Sequence, residues 1–216
     1  MTTILISLGL MLVFLAGGLW ISLSIGGAGI FSLFMKLGPS KLLSFIGLQF
    51  FSENTSFVLV AVPLFILNGE LLFRSGFTGR LYSEITTVIT GFPGGLLQTN
   101  IVACTIHAAC TGSSAASAAS MGIIAYENEI SRGYNKEMIT GSIAAGGTLG
   151  ILIPPSIMMI IYGVLVGESI GRLFIAGIIP GIMISGLFSL YIAVRCIVQP
   201  SLAPRELTAI TLVDRF

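Results

Sequence analysis

The chain has 216 residues, of which 55% are apolar and 9% charged, with a mean hydropathy of +1.02 and a net charge of +1. An ordinary soluble domain carries about 25% charged residues, so a water-soluble globule, a nucleic-acid binder and a disordered chain are all excluded. The charges leave long neutral windows at 1–35, 85–126, 138–167 and 173–194, with a shorter one at 54–69. A helix needs about 20 apolar residues to cross a bilayer core. The pattern is that of an all-α, polytopic membrane protein with the lipid bilayer as its solvent.

Met1 to Met35 contains no Lys or Arg, so it lacks the basic region of a cleavable signal peptide. It is predicted as an uncleaved span from Ile4 to about Leu23, broken at Gly26-Gly27-Ala28-Gly29, with further helix over 25–37. Lys36, Gly38-Pro39 and Lys41 predict a second break. Residues 42–52 are too short to span and are expected to lie at the interface or dip part-way into the bilayer. Asn54 to Phe73 is a predicted span kinked at Pro63, which removes a ladder hydrogen bond. Glu53 and Glu70 lie at its two ends, where they can stay solvated. Residues 80–89 mix Arg80 and Glu84 with Leu81, Tyr82, Ile85 and Val88, as a helix lying along the interface does. Phe92-Pro93-Gly94-Gly95 is turn chemistry.

From Leu96 to about Cys110 a helical arm is predicted, then a break at Thr111-Gly112-Ser113-Ser114 and a second arm to about Tyr126. Glu127, Glu129, Arg132 and Lys136 are assigned to a polar loop. The segment 138–166 is interrupted by Gly146-Gly147-Thr148-Leu149-Gly150 and by Pro154-Pro155, and Arg172 to Val194 forms the last span before a polar tail. Arg74, Arg80, Arg132, Lys136, Arg195 and Arg205 fall on one face under this topology. The positive-inside rule makes that face cytoplasmic. Cys104, His107 and Cys110 are too few for a metal site. His107 is expected to be a buried, neutral, hydrogen-bonded side chain whose replacement by Gln leaves ion affinity nearly unchanged.

The two interruptions carry the chemistry. A turn within lipid leaves polar groups unsatisfied unless it is buried in protein or lines a wet cavity. Freed carbonyls beside Thr148 and Ser156 are neutral donors suited to a small alkali cation, and half-helix N-termini can face an anionic substrate. Without a carboxylate in either break, a monovalent ion is favoured over Ca²⁺ or Mg²⁺. Close helix packing competes with this, because Gly146 and Gly150, like Gly177 and Gly181, stand at GxxxG spacing. An intramembrane serine hydrolase built on Ser113 or Ser114 lacks a GxSxG frame and has only His107 as base. A channel lacks a ring of like charges. A non-transporting assembly subunit remains the main rival.

Pro63 to Gly69, Ser75-Gly76-Phe77, Pro93-Gly94-Gly95, Thr111 to Ser117, Arg132-Gly133-Tyr134, Gly146 to Ser156, Ile161-Tyr162-Gly163, Ser169-Ile170-Gly171 and Ala176 to Gly181 together carry a resemblance. They resemble the large, DctM-like membrane subunit of the tripartite ATP-independent periplasmic (TRAP) transporters, in order over about residues 1–196. The resemblance implies one inverted-repeat half of an elevator-type ion-transporter fold. Its parts would be scaffold-type helices at 1–53, a span plus interfacial helix at 54–91 and a re-entrant hairpin at 92–131. A discontinuous helix at 132–168, a span at 169–198 and a polar tail at 199–216 would complete it.

The implied function is sodium-coupled import, without enzymatic chemistry, across the bacterial cell inner membrane. Substrates would be organic acids such as C4-dicarboxylates or sialic-acid-like carboxylates. Na⁺ is the coupling ion and no other cofactor is implied. The implied partners are a small TRAP membrane subunit, a periplasmic substrate-binding protein and, if the large subunit is split, its second half. Position by position, Thr111, Gly112, Ser113, Ser114, Gly147, Thr148 and Gly150 would bind sodium. Ser117, Pro154, Pro155 and Ser156 would shape the substrate cavity. Family members are roughly twice as long, so the chain is expected to be an N-terminal half, either a truncated gene product or one piece of a split subunit, that does not transport alone.

Overall fold

The computed structural model describes residues 2–89 and 91–204; Arg205 and the tail beyond it, assigned above to the cytoplasmic face, lie outside the described residues. The described residues form helices and turns with no strand. Three segments, Ile21–Asn54, Phe57–Arg74 and Ile170–Val198, are long and apolar enough to cross a membrane. The chain divides into two compact units, Met1–Ser56 and Phe57–Phe216.

In the first unit, α1 (Thr2–Ala16) packs against α2 (Ile21–Asn54). The turn between them falls at Gly17-Gly18, where Gly18 takes φ 78° and the N–H of Leu19 donates to the Phe14 carbonyl at 3.1 Å. The break expected at Gly26-Gly27-Ala28-Gly29 is absent, because these residues lie inside α2. Small side chains serve close approach there instead: a Cβ on Gly27 would sit 3.0 Å from the Phe14 ring, and Ser24 and Ala28 are buried beside it. Tight helix packing has the same glycine signature as a break. The Gly38-Pro39 break does occur, as a kink at Gly38 (φ 73°, ψ 169°), but helix continues through 42–52 to Asn54.

The second unit opens with one turn of 3-10 helix, Phe57–Val60, running into α3 (Ala61–Arg74). Pro63 therefore falls in the first turn of α3, where its missing N–H was surplus anyway. It starts the helix and does not kink it. Glu70 and Arg74 pair at 2.5 Å on the exposed face. The amphipathic α4 (Phe77–Ile89) buries Thr78, Tyr82 and Ile85, an i, i+4, i+7 stripe.

The hairpin follows as α5 (Leu96–Thr111) and α6 (Ser114–Ser131). At about 1.5 Å per residue these arms measure roughly 24 and 27 Å. Then come α7 (Lys136–Thr148), a 3-10 turn at Leu149–Ile151, the short α8 (Ile157–Val166) and the long α9 (Ile170–Val198). With 10 residues, α8 is half the length a span requires. Pro180 lies inside α9 and removes one donor from its ladder.

α5 is the hub, packed against α3, α4, α6, α7 and α9. Its first turn is pinned by glycines that admit neighbours: a Cβ on Gly94 would lie 2.7 Å from Ile192, and one on Gly95 would lie 2.5 Å from the Tyr134 hydroxyl. That hydroxyl accepts from the Leu96 N–H at 3.2 Å. Gln98 donates to the Ser189 carbonyl at 2.8 Å, and the Thr105 and Ser185 hydroxyls lie 3.3 Å apart, tying α5 to α9.

Glu129 departs from its assignment to a polar loop. α6 runs on to Ser131, Glu129 is fully buried, and the Tyr82 hydroxyl donates to its Oε1 at 2.7 Å. Burial, followed by the negative charge of Glu129, holds the Tyr82 phenol above its ordinary range. Tyr82 is therefore a committed donor clasping α4 to the end of α6. Tyr82→Phe keeps the ring and removes the donor. Chemical denaturation in detergent micelles should show a loss of roughly 1–3 kcal/mol, against near-neutrality for a change at exposed Ser83.

Candidate functional site

The tip of the hairpin is built by cap chemistry. Gly112 ends α5 in the left-handed conformation (φ 66°), and its N–H returns to the Ala108 carbonyl at 2.8 Å. Ser113, extended at φ −127°, begins α6, and its hydroxyl accepts from the Ala116 N–H at 3.3 Å. Asn68 Nδ2 reaches across from α3 to donate to the Cys110 carbonyl at 2.8 Å, while Gly69 brings α3 to van der Waals distance of Thr111. The sequence singles out Asn68 for no role. Its polar amide on an otherwise apolar helix is the available signal.

The second interruption comes to the first. The N–H of Ile157, at the start of α8, donates to the Gly112 carbonyl at 3.1 Å. A Cβ on Gly112 would lie 3.0 Å from the Pro155 carbonyl. On the other side of the tip, a Cβ on Gly150 would lie 2.9 Å from the Ser114 nitrogen and 3.0 Å from the Ser113 carbonyl carbon, and one on Gly147 would lie 2.6 Å from Ala118 Cβ. Gly146 is likewise pressed on Cys104 and the Asn100 carbonyl. The GxxxG spacing is thus a packing signature, as the competing interpretation has it, and what Gly150 packs on is the other break.

α9 closes the far side. Gly177 admits the Leu152 carbonyl, 2.5 Å from where its Cβ would be, and Gly181 admits Ile153. The chain between α7 and α8 turns through Leu149, whose carbonyl accepts from the N–H groups of Leu152 and Ile153 at 3.0 and 2.9 Å.

Side chains at the junction divide into three groups. Thr111 and Ser117 are buried with their hydroxyls 3.2 Å apart, and Ser117 Oγ lies 3.1 Å from His107 Nδ1. Ser114 Oγ and Ser156 Oγ are buried, and among the described residues neither has a hydrogen-bond partner. Thr148 is exposed and spends its hydroxyl on the Ala145 carbonyl at 2.7 Å, so its side chain takes no part in the junction. Pro154 and Pro155 are half-buried, with Pro155 against the tip. Beside the tip, a groove of about 620 Å³ lies between α3 and α6, lined by Gly69, Glu70, Phe73, Thr111, Ser113 and Ser120 among others.

The segments that meet here carry neutral polar groups: the Gly112 and Pro155 carbonyls and the buried Ser114 and Ser156 hydroxyls, none of which brings a charge. Gly150→Ala should force the interruptions apart at a cost of about 1–3 kcal/mol in overpacking. Gly141→Ala on α7, with nothing within 4 Å of its would-be Cβ, should be neutral or slightly stabilising. Thermal unfolding of the two variants in the same detergent distinguishes them.

Residues 8–206 match the family model for the tripartite ATP-independent periplasmic transporter, DctM component. The chain is 36% identical over 163 residues to a C4-dicarboxylate TRAP transporter large permease protein of Pseudomonas aeruginosa, covering 76% of this chain and 37% of that protein. It is 34% identical over 201 residues to the ectoine TRAP transporter large permease protein of Halomonas elongata, covering 92% and 46%. It is 40% identical over 130 residues to the sialic acid TRAP transporter permease protein of Haemophilus influenzae, covering 60% and 21%. The matches span less than half the length of each relative. With the match running through both interruptions and the helices that hold them, the chain belongs to the DctM family of TRAP transporter membrane components.

Proposed function

We propose that this chain supplies one half of the large permease subunit of a sodium-coupled TRAP-type importer in the bacterial inner membrane. In this proposal α5 and α6 form a re-entrant hairpin, and α7 and α8 form the discontinuous helix beside it. The whole moves as part of an elevator-type transport domain. Its substrates are organic acids such as C4-dicarboxylates or sialic-acid-like carboxylates. The small membrane subunit, a periplasmic substrate-binding protein and the second half of the permease are its partners. The relatives carry C4-dicarboxylate, ectoine and sialic acid in their names at similar identity, so the class of solute is the level at which the proposal is made.

The meeting of the two interruptions, through Ile157 N–H to the Gly112 carbonyl and Gly150 against Ser114, is the observation that carries it. Two broken helices in an apolar chain cost several kcal/mol in unsatisfied groups unless they serve one another or a guest. Here they do the first and leave hydroxyls for the second. Ser114 Oγ, with carbonyls near Thr111, Gly147 and Gly150, supplies the proposed sodium donors, and Ser156 Oγ, assigned above to the substrate cavity, is moved to the same set because it is buried without a partner among the described residues.

Calorimetric titration of sodium into the chain co-produced with the second permease half tests this proposal. The Ser114→Ala variant should weaken binding by about tenfold or more, since a polar group facing a charge is worth roughly 1.5–3 kcal/mol. If sodium gives no heat with both halves present, the chain acts in assembly and the proposal fails.

A further inference from the structure

His107 is buried and hydrogen-bonded, as expected, and the partners it has chosen are hydroxyls at the hairpin tip. It is fully buried on α5, one turn before the tip. Three contacts close a ring: Thr111 Oγ1 to the His107 carbonyl at 3.1 Å, Thr111 Oγ1 to Ser117 Oγ at 3.2 Å, and Ser117 Oγ to His107 Nδ1 at 3.1 Å. His107 Nε2 has no hydrogen-bond partner among the described residues.

Counting protons selects one tautomer. With the proton on Nδ1, the imidazole donates to Ser117, Ser117 to Thr111 and Thr111 to the His107 carbonyl. All three protons and all three contacts are used, and Nε2 is left as a bare lone pair. With the proton on Nε2, Ser117 must donate to Nδ1 and Thr111 to Ser117. The His107 carbonyl then receives no hydroxyl proton, and an N–H is buried with nothing to receive it. Orphaned buried donors are rarer than under-used acceptors, so the first circuit prevails.

The consequence falls on Ser117 and Thr111. Each hydroxyl has spent its single proton inside the ring and accepts one, leaving one lone pair apiece. The pair can offer electrons and cannot donate.

We propose that His107 is a positioning residue that holds Ser117 and Thr111 as lone-pair-only ligands for the coupling cation. Ser117 then belongs to the cation and not to a substrate carboxylate, which would need a donor there. This rests on the sodium reading above and reassigns Ser117 within it. It also revises the expectation for glutamine at position 107: the asparagine amide nitrogen superposes on Nδ1, whereas the glutamine amide nitrogen superposes on Nε2 and cannot close the ring.

The test uses the chain co-produced with its second half. His107→Asn should keep the sodium dissociation constant within about threefold, whereas His107→Gln should raise it about tenfold, the equivalent of roughly one hydrogen bond. Equal binding by the glutamine variant and wild type, or equal weakening in both variants, would overturn the proposal. Independently of sodium, ¹⁵N-histidine NMR of this single-histidine chain should show the neutral Nδ1–H tautomer. An Nε2–H signature overturns the circuit. Wild-type protein with the Nδ1–H tautomer and no sodium binding would instead overturn the sodium reading, and with it the role assigned to the ring.

Discussion

A buried peptide group removed from its helix needs a partner within the protein, and the packing of the second unit around its two interruptions meets that constraint. Gly112 and the segment from Leu149 to Ser156 each break a helix, and each supplies what the other lacks. The carbonyl left over at the end of α5 takes the first N–H of α8. The glycines of α7 and α9 then let backbones approach until no lipid fits between them. Remove this mutual arrangement and both interruptions become defects of several kcal/mol each. With it in place, the Ser114 and Ser156 hydroxyls are left buried at the junction without a hydrogen-bond partner among the described residues.

The same constraint explains why polarity is inverted relative to a soluble protein. Gln98, Thr99, Asn100, His107, Thr111 and Ser117 are buried. Phe57, Leu43 and Ile175 lie outside, at 86%, 79% and 70% exposure. In water such a surface would drive aggregation. Against acyl chains it is neutral, and association must come from packing and interior hydrogen bonds. α5 touches five other helices and carries Gln98, Thr99, Asn100, His107 and Thr111, more buried polar residues than any other helix described.

Local chemistry determines which features are legible. The amphipathic stripe of α4, the Pro93-Gly94-Gly95 turn and the bend at Thr111 to Ser114 follow from residues within a few positions of one another and appear where the pattern places them, whereas the second interruption begins later than expected, because Gly146 to Thr148 stay helical in α7 and the chain leaves it only at Leu149. Gly26 to Gly29 mislead because a glycine run permits a bend and equally permits a close neighbour. Only Phe14, distant in sequence, decides between the two. Pro63 misleads because the start of α3 is set by the preceding 3-10 turn, which no residue announces. Glu129 is hidden for a deeper reason. A carboxylate among Glu127, Arg132 and Lys136 looks solvated until α4 delivers the Tyr82 hydroxyl to it. The roles of Asn68 and His107 depend on partners that three-dimensional proximity alone supplies.

α9 holds both halves of the junction, but at different stations along its length. Ser185, Ser189 and Ile192 grip α5, while Gly177 and Gly181 cradle the stretch at Leu152 and Ile153. Pro180 sits beside the second station, where the ladder of α9 is missing a rung. Mechanically, α9 is a beam notched near its cradle. Flexing at the notch would move the stretch at Leu152 and Ile153 relative to the hairpin tip while leaving the contacts of Ser185, Ser189 and Ile192 with α5 in place.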